Sequence, residues 1–254
     1  MSTVWLDGSF LPEDKAFIPA VDRGFLHGRG IFETLRAYGG IPFRLGDHVA
    51  RMKKTAARFG FPFKPAEADP VIRTLCRKNG LEDAAVRLTL SAEGRLLITA
   101  RPRKPLPPAW YARGAKVDIV PWLRDARALI AGHKVTSYLE NILVHDAALK
   151  RGRADALFVG LNGELLEGSV SNVFLVVKGT LVTPKLTGIL PGVTRKVVME
   201  LARVKERMVM LEEFRKADEA FLTNALIEVL PIGKPGPVTC EIADGYNALT
   251  HRLR

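Results

Sequence analysis

Four two-residue turn signals, distributed over both halves of the chain, constrain its fold most strongly. They are Asp7-Gly8, Gly39-Gly40, Asn162-Gly163 and Lys178-Gly179, and each separates two short strand-like stretches. Glycine-containing pairs of this kind favour tight β-hairpins, in which the turn residues take positive φ angles. The sequence therefore predicts antiparallel strand pairs in both halves of the chain.

Apolar residues recur with helical spacing between these hairpins. The spacing predicts helices over residues 48–59 and 66–78 in the first half. In the second half, Ser137 and Glu140 have the spacing of a capping box, which predicts a helix that ends near Gly152. A loop after residue 188 opens a further predicted helix at 194–203.

The order of these elements predicts a mixed α/β (α+β) fold with two domains. A chain of 254 residues has the length for two domains of modest size. A strand is predicted at 116–121, and the residues after it are interpreted as the interdomain connection. We therefore expect a small N-terminal α/β domain over 1–118, a connection over 119–132, and a larger C-terminal α/β domain over 133–254.

Charge and composition exclude several classes of protein. The 38 Lys+Arg residues outnumber the 27 Asp+Glu residues and give a net charge of +11, but the cations are scattered. Because motifs for nucleic-acid binding are missing too, an acidic small molecule suits this charge better than DNA or RNA. No apolar run approaches the ~18 residues of a membrane span, so we expect a cytoplasmic protein without membrane contact. The two cysteines exclude a four-cysteine zinc site, and we expect no metal.

Two ionisable residues are candidates for chemistry, and each also has a plain structural explanation. Lys134 lies beside predicted apolar elements, where desolvation can lower the pKa of a lysine and free its amine to form a Schiff base. Most lysines, however, are solvated surface groups. Glu167 follows an apolar strand, and a buried carboxylate needs a partner, which an ordinary ion pair would supply.

Two further features suit a phosphate group. The segment Gly192–Arg195 opens a predicted helix, whose N-terminal N–H groups and positive dipole end attract anions. Many such junctions nevertheless bind nothing. Arg51 lies one turn after His48 and can reach a phosphate, or it can simply face solvent.

Three separated motifs, in the right order, give these weak signals a common meaning. The motifs are the segment DRGFLHGRGIFETLR at 22–36, the segment HVAR at 48–51, and the stretch from Lys134 to Arg195. Together they strongly resemble the class IV (fold-type IV) pyridoxal-phosphate enzymes, a family of branched-chain aminotransferases, D-amino-acid aminotransferases and 4-amino-4-deoxychorismate lyases. The resemblance implies a two-domain fold like that of D-amino-acid aminotransferase, with the cofactor between the domains. It also implies a homodimer whose active sites lie near the subunit interface.

The resemblance assigns roles to single residues. Lys134 matches the lysine that binds pyridoxal phosphate covalently, and Glu167 matches the glutamate that keeps the pyridine nitrogen protonated. Arg51, Val193 and Thr194 match the phosphate-binding set. The remaining cofactor contacts that the resemblance implies are Tyr138, Asn224 and Ala225.

Within the family, the lyase resembles this sequence most. Tyr138 lies four residues after the lysine, Thr34 replaces the glycine of the transaminases, and Asn224-Ala225 is similar to the lyase segment. The predicted function is therefore a 4-amino-4-deoxychorismate lyase of the folate pathway, which forms 4-aminobenzoate and pyruvate. Lys134 would remove the C4 proton, and Lys134 or Thr34 would protonate the leaving group. The alternative is a class IV transaminase for branched-chain amino acids, D-amino acids or amines, which exchanges an amino group with a 2-oxo acid.

Several residues are candidates for binding a small anionic substrate, such as a dicarboxylate or an amino acid. Arg87 and Arg95 lie on predicted strands and can pair with carboxylates in bidentate fashion. Asn224 belongs to the segment that closes the substrate side in the family. His27 stands where the family commonly has tyrosine or phenylalanine, so we expect it to alter the choice of substrate.

Overall fold

A computed structural model describes residues 2–64 and 67–253. Its chain divides into two compact units. Unit 1 comprises Met1–Lys104, His133–Ser137 and Thr250–Arg254, and unit 2 comprises Pro105–Gly132 and Tyr138–Leu249. The limits of these units differ from the domain limits expected at residues 118 and 132. The division into domains at those residues stays a prediction.

Unit 1 is built on one antiparallel sheet. Its strands have the order β2-β1-β6-β5-β3-β4. In chain order, the elements are β1 (Thr3–Leu6), β2 (Ser9–Pro12), α1 (Arg23–His27), β3 (Gly30–Tyr38), β4 (Ile41–Pro42), α2 (Leu45–Phe59), α3 (Ala68–Lys78), β5 (Asp83–Ser91) and β6 (Leu96–Pro102). A short 3-10 turn covers Glu13–Lys15.

The core of unit 1 forms where helices α2 and α3 pack against this sheet. Met52 and Ala56 project from α2, and Ile72 and Leu75 project from α3, into a cluster with sheet residues such as Leu35. All five are buried. Burying a side chain the size of leucine or methionine contributes about 1.5–3 kcal/mol, so this cluster supports the sheet that carries the residues described below.

The turn signals in unit 1 are confirmed. Asp7-Gly8 connects β1 to β2 with φ angles of 47° and 101°, and Gly39-Gly40 connects β3 to β4 with φ angles of 55° and 75°. Helix α2 begins at Leu45 rather than at residue 48, because Arg44 enters it in the left-handed conformation without a side-chain cap. The predicted start of α3 at residue 66 lies outside the described residues.

Unit 2 contains two sheets. They have the strand orders β12-β11-β10-β13-β14 and β7-β8-β9. The elements that continue the chain are α4 (Pro108–Arg113), β7 (Val117–Arg124), α5 (Leu139–Lys150), β8 (Asp155–Gly160), β9 (Leu165–Gly168), β10 (Asn172–Val177), β11 (Thr180–Pro184), α6 (Val193–Leu201), β12 (Lys205–Arg207), α7 (Leu211–Arg215), β13 (Glu219–Asn224), β14 (Glu228–Ile232) and α8 (Pro237–His251).

Strands β7 and β8 are parallel, and α5 supplies the crossover that a parallel pair requires. Strand β7 continues through Leu123, which pairs with Val159, so regular structure extends into the segment expected to be a connection. The hairpins at Asn162-Gly163 and Lys178-Gly179 are confirmed. None of the helices within residues 2–64 and 67–253 has the length and apolarity that a membrane crossing requires.

The capping box predicted at Ser137 and Glu140 is wrong. Helix α5 has Tyr138 as its N-cap, and no side chain caps it. Ser137 Oγ instead donates to the carbonyl of Gly28 at 3.0 Å, and Glu140 accepts from Trp122 Nε1 at 2.8 Å. Tertiary partners have therefore replaced the local cap, as short polar side chains allow.

We expect Gly114→Ala to destabilise unit 2. A Cβ at residue 114 would overlap the carbonyl oxygen of Gly233, at a φ of +82° that already strains an L-residue. Denaturant unfolding should therefore show a loss of more than about 2 kcal/mol, as for other severe steric conflicts. Gly152→Ala is the matched control, because its φ is +69° but nothing lies within 4 Å. It should lose only about 1 kcal/mol, and equal losses would contradict the steric explanation.

Candidate active site

Lys134 lies on a short segment of unit 1 that is bound to the edge of β3. The Phe32 N–H donates to the Lys134 carbonyl at 2.9 Å, and the Thr136 N–H donates to the Gly30 carbonyl at 2.9 Å. Ile31 and Val135 form an antiparallel bridge between these two hydrogen bonds. The lysine is therefore fixed at its backbone by strand pairing.

Two glycines make this close approach possible. A Cβ at Gly28 would lie 2.5 Å from Ser137 Oγ, and a Cβ at Gly30 would lie 2.8 Å from Thr136 Oγ1. Both hydroxyls donate to the Gly28 carbonyl, Thr136 at 2.8 Å and Ser137 at 3.0 Å. A larger residue at 28 or 30 would therefore crowd the side chains of the Lys134 segment.

The side chain of Lys134 shares an aromatic ring with an arginine. Lys134 Nζ lies 4.4 Å from the centroid of the Phe32 ring, and Arg87 Cζ lies 3.7 Å from the same centroid. Thr34 pairs with Arg87 in the β3–β5 register, and residues two apart on a strand share a face. The structure thus brings together three residues predicted for catalysis and substrate binding: Lys134, Thr34 and Arg87.

A buried ionic cluster lies on the opposite face of β3. Glu33 is only 1% exposed. Its Oε1 accepts from Arg51 Nε at 2.8 Å, and its Oε2 accepts from Arg51 Nη2 at 2.6 Å and from His48 Nδ1 at 2.8 Å. Arg51, predicted to bind phosphate, is therefore held by a carboxylate in unit 1.

The protonation of this cluster follows from its burial. Burial alone would raise the pKa of Glu33, but Arg51 and His48 outweigh it and lower this pKa to about 2. Burial also lowers the pKa of His48, so at neutral pH its ring is neutral and donates from Nδ1. The sequence analysis missed Glu33 and His48 as site residues. The signal was a glutamate at a position of β3 where alternation requires an apolar side chain.

The other predicted substrate residues of unit 1 have different surroundings. Arg95 Nη1 pairs with Asp7 at 3.0 Å, and both side chains are partly exposed. His27 ends α1 and is exposed. Their roles toward a substrate stay a prediction.

In unit 2, Glu167 is connected to the approach of helix α6. Its Oε2 accepts from the Leu190 N–H at 3.0 Å and from Asn172 Nδ2 at 3.4 Å. Asn172 Nδ2 also donates to the Leu190 carbonyl at 2.9 Å. The carboxylate predicted to hold a ring nitrogen is thus fixed to the loop that leads to the predicted phosphate site.

That loop ends at a helix N-terminus without a side-chain cap. Gly192 is the N-cap of α6, and Val193 and Thr194 of its first turn are buried. A Cβ at Gly192 would overlap Asn172 Oδ1, so glycine is required here. The hydroxyl of buried Thr223, on the neighbouring strand β13, has no hydrogen-bond partner among the described atoms.

Tyr138 is placed by the loop between β9 and β10. Its hydroxyl donates to the Ser169 carbonyl at 2.9 Å. Burial, together with the charges of Glu167 and Asp155, raises the pKa of Tyr138, so the phenol keeps its proton at neutral pH. Asp155 holds the same loop, since it accepts from Ser169 N at 3.0 Å and from Ser171 Oγ at 2.6 Å. The sequence analysis missed Asp155.

Asn224 is the last residue of β13, and Ala225 lies in the turn between β13 and β14. Asn224 Oδ1 accepts from the N–H groups of Leu226 at 2.8 Å and Ile227 at 2.9 Å. Its amide donates to the Val170 carbonyl at 3.1 Å. These bonds give the Asn224 side chain a role in closing the turn, and its contacts with cofactor and substrate stay a prediction.

The donor set fits the expected cofactor. Unit 1 offers an amine on an aromatic ring and a guanidinium held by a carboxylate. Unit 2 offers a fixed carboxylate and a helix N-terminus whose glycine cap leaves its first N–H groups for an anion. Among residues 2–64 and 67–253, no cluster of three His, Cys, Asp or Glu side chains could hold a metal ion.

The chain is similar in sequence to a known protein family and to known enzymes. A family model described as amino-transferase class IV matches residues 30–234. Aminodeoxychorismate lyase from Bacillus subtilis is 29% identical over 252 residues, which cover 91% of this chain and 86% of the lyase. A putative branched-chain-amino-acid aminotransferase from Methanocaldococcus jannaschii is 31% identical over 249 residues, which cover 90% of this chain and 86% of that protein.

The fold of the chain is also similar to solved structures. Branched-chain aminotransferase from Thermoproteus uzoniensis, crystallised with norvaline, matches with a TM-score of 0.90 at 28% identity, covering 100% of this chain and 96% of that one. The branched-chain enzyme from Escherichia coli matches with a TM-score of 0.88 at 26% identity, covering 98% and 94%. The α/β fold expected from the fold-type IV resemblance is confirmed. These matches support the aminotransferase alternative better than the lyase. The chain belongs to the class IV aminotransferase family.

Proposed function

We propose that this protein is a pyridoxal-phosphate-dependent aminotransferase that exchanges the amino group of an α-amino acid with a 2-oxo acid. One observation carries the proposal: Lys134 Nζ and the Arg87 guanidinium both lie against the Phe32 ring. An α-amino acid has its carboxylate one bond away from the carbon that loses a proton. A guanidinium on the same ring as a lysine amine suits this arrangement, because it can bind the carboxylate while the amine meets the proton.

The cofactor assignment rests on the donor set and on the similar proteins. Lys134, Glu167, Arg51, Val193 and Thr194 would hold pyridoxal phosphate through its carbonyl carbon, its ring nitrogen and its phosphate. Another similar branched-chain aminotransferase, 26% identical to this chain, has been solved with pyridoxamine 5'-phosphate and with N-(5'-phosphopyridoxyl)-L-glutamate. When bound, the cofactor supplies an electron sink for the charge that develops at the substrate carbon.

The residues of the chain then have separate tasks. Lys134 removes the proton from the substrate α-carbon, and Phe32 shields one side of its amine from water. Arg87 binds and orients the carboxylate. Glu167, fixed by Leu190, keeps a proton on the ring nitrogen. Tyr138 stays a hydrogen-bond donor because burial raises its pKa.

The lyase remains a second candidate because of Thr34. Its hydroxyl lies on the face of Phe32 and Arg87, where it can donate a proton to a leaving group. The aminodeoxychorismate lyase of Bacillus subtilis is among the similar proteins. Both activities need Lys134 as the base.

We further infer that the protein forms a homodimer. Unit 1 exposes a group of large apolar side chains before β3: Phe17, Ile18, Val21, Phe25 and Leu26. Val21 and Phe25 are 78% and 75% exposed. Exposed apolar side chains concentrated in one short segment suit a protein interface, and a second copy of the chain is the proposed occupant. The cytoplasmic location stays a prediction.

The first prediction concerns Lys134. Lys134→Ala should abolish the visible absorbance of lysine-bound cofactor and lower the rate of amino transfer by at least ~10³-fold, because it removes both the anchor and the base. Absorbance titration with pyridoxal phosphate and a coupled assay measure the two effects. Lys53→Ala, an exposed lysine on α2, is the control and should change neither. Retention of lysine-bound absorbance in Lys134→Ala would disprove the assignment.

The second prediction concerns Arg87. Arg87→Gln should raise KM for the amino acid by ~10–100-fold, since a charge-assisted hydrogen bond contributes about 1.5–3 kcal/mol. Arg95→Gln should leave KM unchanged, because Arg95 pairs with Asp7. Steady-state kinetics of both variants test the difference. A larger effect at Arg95 would reverse the assignment.

The third prediction separates the two activities. An aminotransferase should convert its bound cofactor to the amine form with valine, leucine or another amino donor, and 2-oxoglutarate should restore the original spectrum. A lyase should show little of this half-reaction and should release pyruvate from aminodeoxychorismate. Spectra and pyruvate assays on the same preparation decide between them. Pyruvate release without half-transamination would replace our proposal by the lyase.

The fourth prediction concerns assembly. Val21→Ser combined with Phe25→Ser should shift the protein from dimer to monomer in sedimentation velocity, because both side chains are among the most exposed apolar groups. Leu161→Ser, in the loop after β8, is the control with 49% exposure outside this group. An unchanged dimer in the double variant, or a monomeric wild type, would contradict the proposed interface.

A further inference from the structure

Glu33 is a buried carboxylate among apolar neighbours. It is 1% exposed on β3, where Ile31 and Leu35, two residues before and after it, belong to the hydrophobic core. Removing a carboxylate from water costs several kcal/mol unless partners compensate. An apolar side chain at this position would pack against the core without that cost, so the carboxylate indicates a task beyond packing.

The partners of Glu33 show what that task is. Arg51 contacts it through two nitrogens on one side of the guanidinium, Nε at 2.8 Å and Nη2 at 2.6 Å. Two parallel hydrogen bonds fix both the position and the plane of a guanidinium, whereas one would leave it free to rotate. His48 Nδ1 donates to the same carboxylate at 2.8 Å, and its side chain is only 3% exposed. His48, on α2, is therefore a second residue that holds the carboxylate in place by a hydrogen bond.

We propose that Glu33 is a positioning residue that orients the guanidinium of Arg51 toward the phosphate of the cofactor, and that His48 holds Glu33 in place for this task. This inference rests on the proposed function, which takes Arg51 as a phosphate ligand. Glu33 itself does not bind the phosphate, because both are anions. Its effect passes through the orientation of Arg51.

Charge and positioning make opposite predictions for Glu33→Gln. Removing a negative charge near the phosphate would strengthen binding if Glu33 acted only through its charge. Gln replaces one of the two acceptor oxygens by an NH2 donor, so the two parallel hydrogen bonds from Arg51 to separate oxygens are lost and the guanidinium loses its fixed plane. If positioning dominates, binding of the phosphorylated cofactor becomes weaker despite the gain in charge.

The experiment compares two ligands that differ only in the phosphate. Cofactor-free protein is titrated with pyridoxal phosphate and with pyridoxal, and the visible absorbance gives a Kd for each. We expect Glu33→Gln to raise the Kd for pyridoxal phosphate by at least ~10-fold and the Kd for pyridoxal by less than ~2-fold. In an Arg51→Ala background, Glu33→Gln should have no further effect on either ligand.

Other outcomes have definite meanings. Equal losses for both ligands, tighter binding of pyridoxal phosphate, or additive effects of the two substitutions would each overturn the inference. If the wild type binds pyridoxal phosphate no better than pyridoxal, the phosphate site and the proposed function fail together. Thermal unfolding of the ligand-free variants shows whether they are folded.

A second variant tests the inference if Glu33→Gln fails to fold. Glu33→Asp keeps the charge but withdraws the carboxylate from Arg51 by one methylene group. It should show a smaller loss for pyridoxal phosphate in the same direction, with pyridoxal unaffected. Wild-type affinity for both ligands in Glu33→Asp would show that the reach of the carboxylate is irrelevant and would overturn the inference.

Discussion

The backbone pairing between β3 and the Lys134 segment is the constraint on which the chemistry of unit 1 depends. It is set by the hydrogen bond from Phe32 N–H to the Lys134 carbonyl. Because side chains alternate along a strand, this register places Lys134 beside Phe32 and turns Glu33 toward α2. A slip of one residue would exchange the two faces and bring the carboxylate to the side of the amine. The glycines at 28 and 30 favour this pairing, since a Cβ at either position would crowd the Ser137 or Thr136 side chain.

Unit 2 holds its functional side chains by a different means. The loop after β9 is held by hydrogen bonds from Ser169 and Ser171 to the buried carboxylate of Asp155. Glu167 lies in β9 just before that loop, and its carboxylate is fixed by Asn172 and Leu190. A buried carboxylate with this many donors makes its loop rigid without regular secondary structure. Buried hydrogen bonds thus hold the loop that follows Glu167, the proposed ligand of the cofactor nitrogen.

The sequence predicted what depends on short-range chemistry. Turn pairs such as Asp7-Gly8 specify hairpins because the φ requirement lies within the turn itself. The capping box failed because Ser137 found a partner in Gly28, far away in the chain. Glu33 was overlooked for the same reason, since its partners come from another element. Helix α8 escaped prediction because its buried stripe includes Thr239 and Thr250 besides apolar residues, which hides its periodicity.

The fold and the proposed cofactor ligands do not separate an aminotransferase from a lyase, because both proposed activities use the amine of Lys134 and the carboxylate of Glu167. The two activities differ in the substrate group that would contact the other residues on the Phe32 face of the sheet, Arg87 and Thr34. An aminotransferase binds two substrates in turn, and the group they share is a carboxylate beside the reacting carbon. A cation that lies near the lysine can bind this carboxylate in both half-reactions. Arg87, stacked on Phe32 at 3.7 Å, has that property. Thr34 would act instead where a leaving group needs a proton, so the proposed roles of Arg87 and Thr34 distinguish the two reactions where the fold does not.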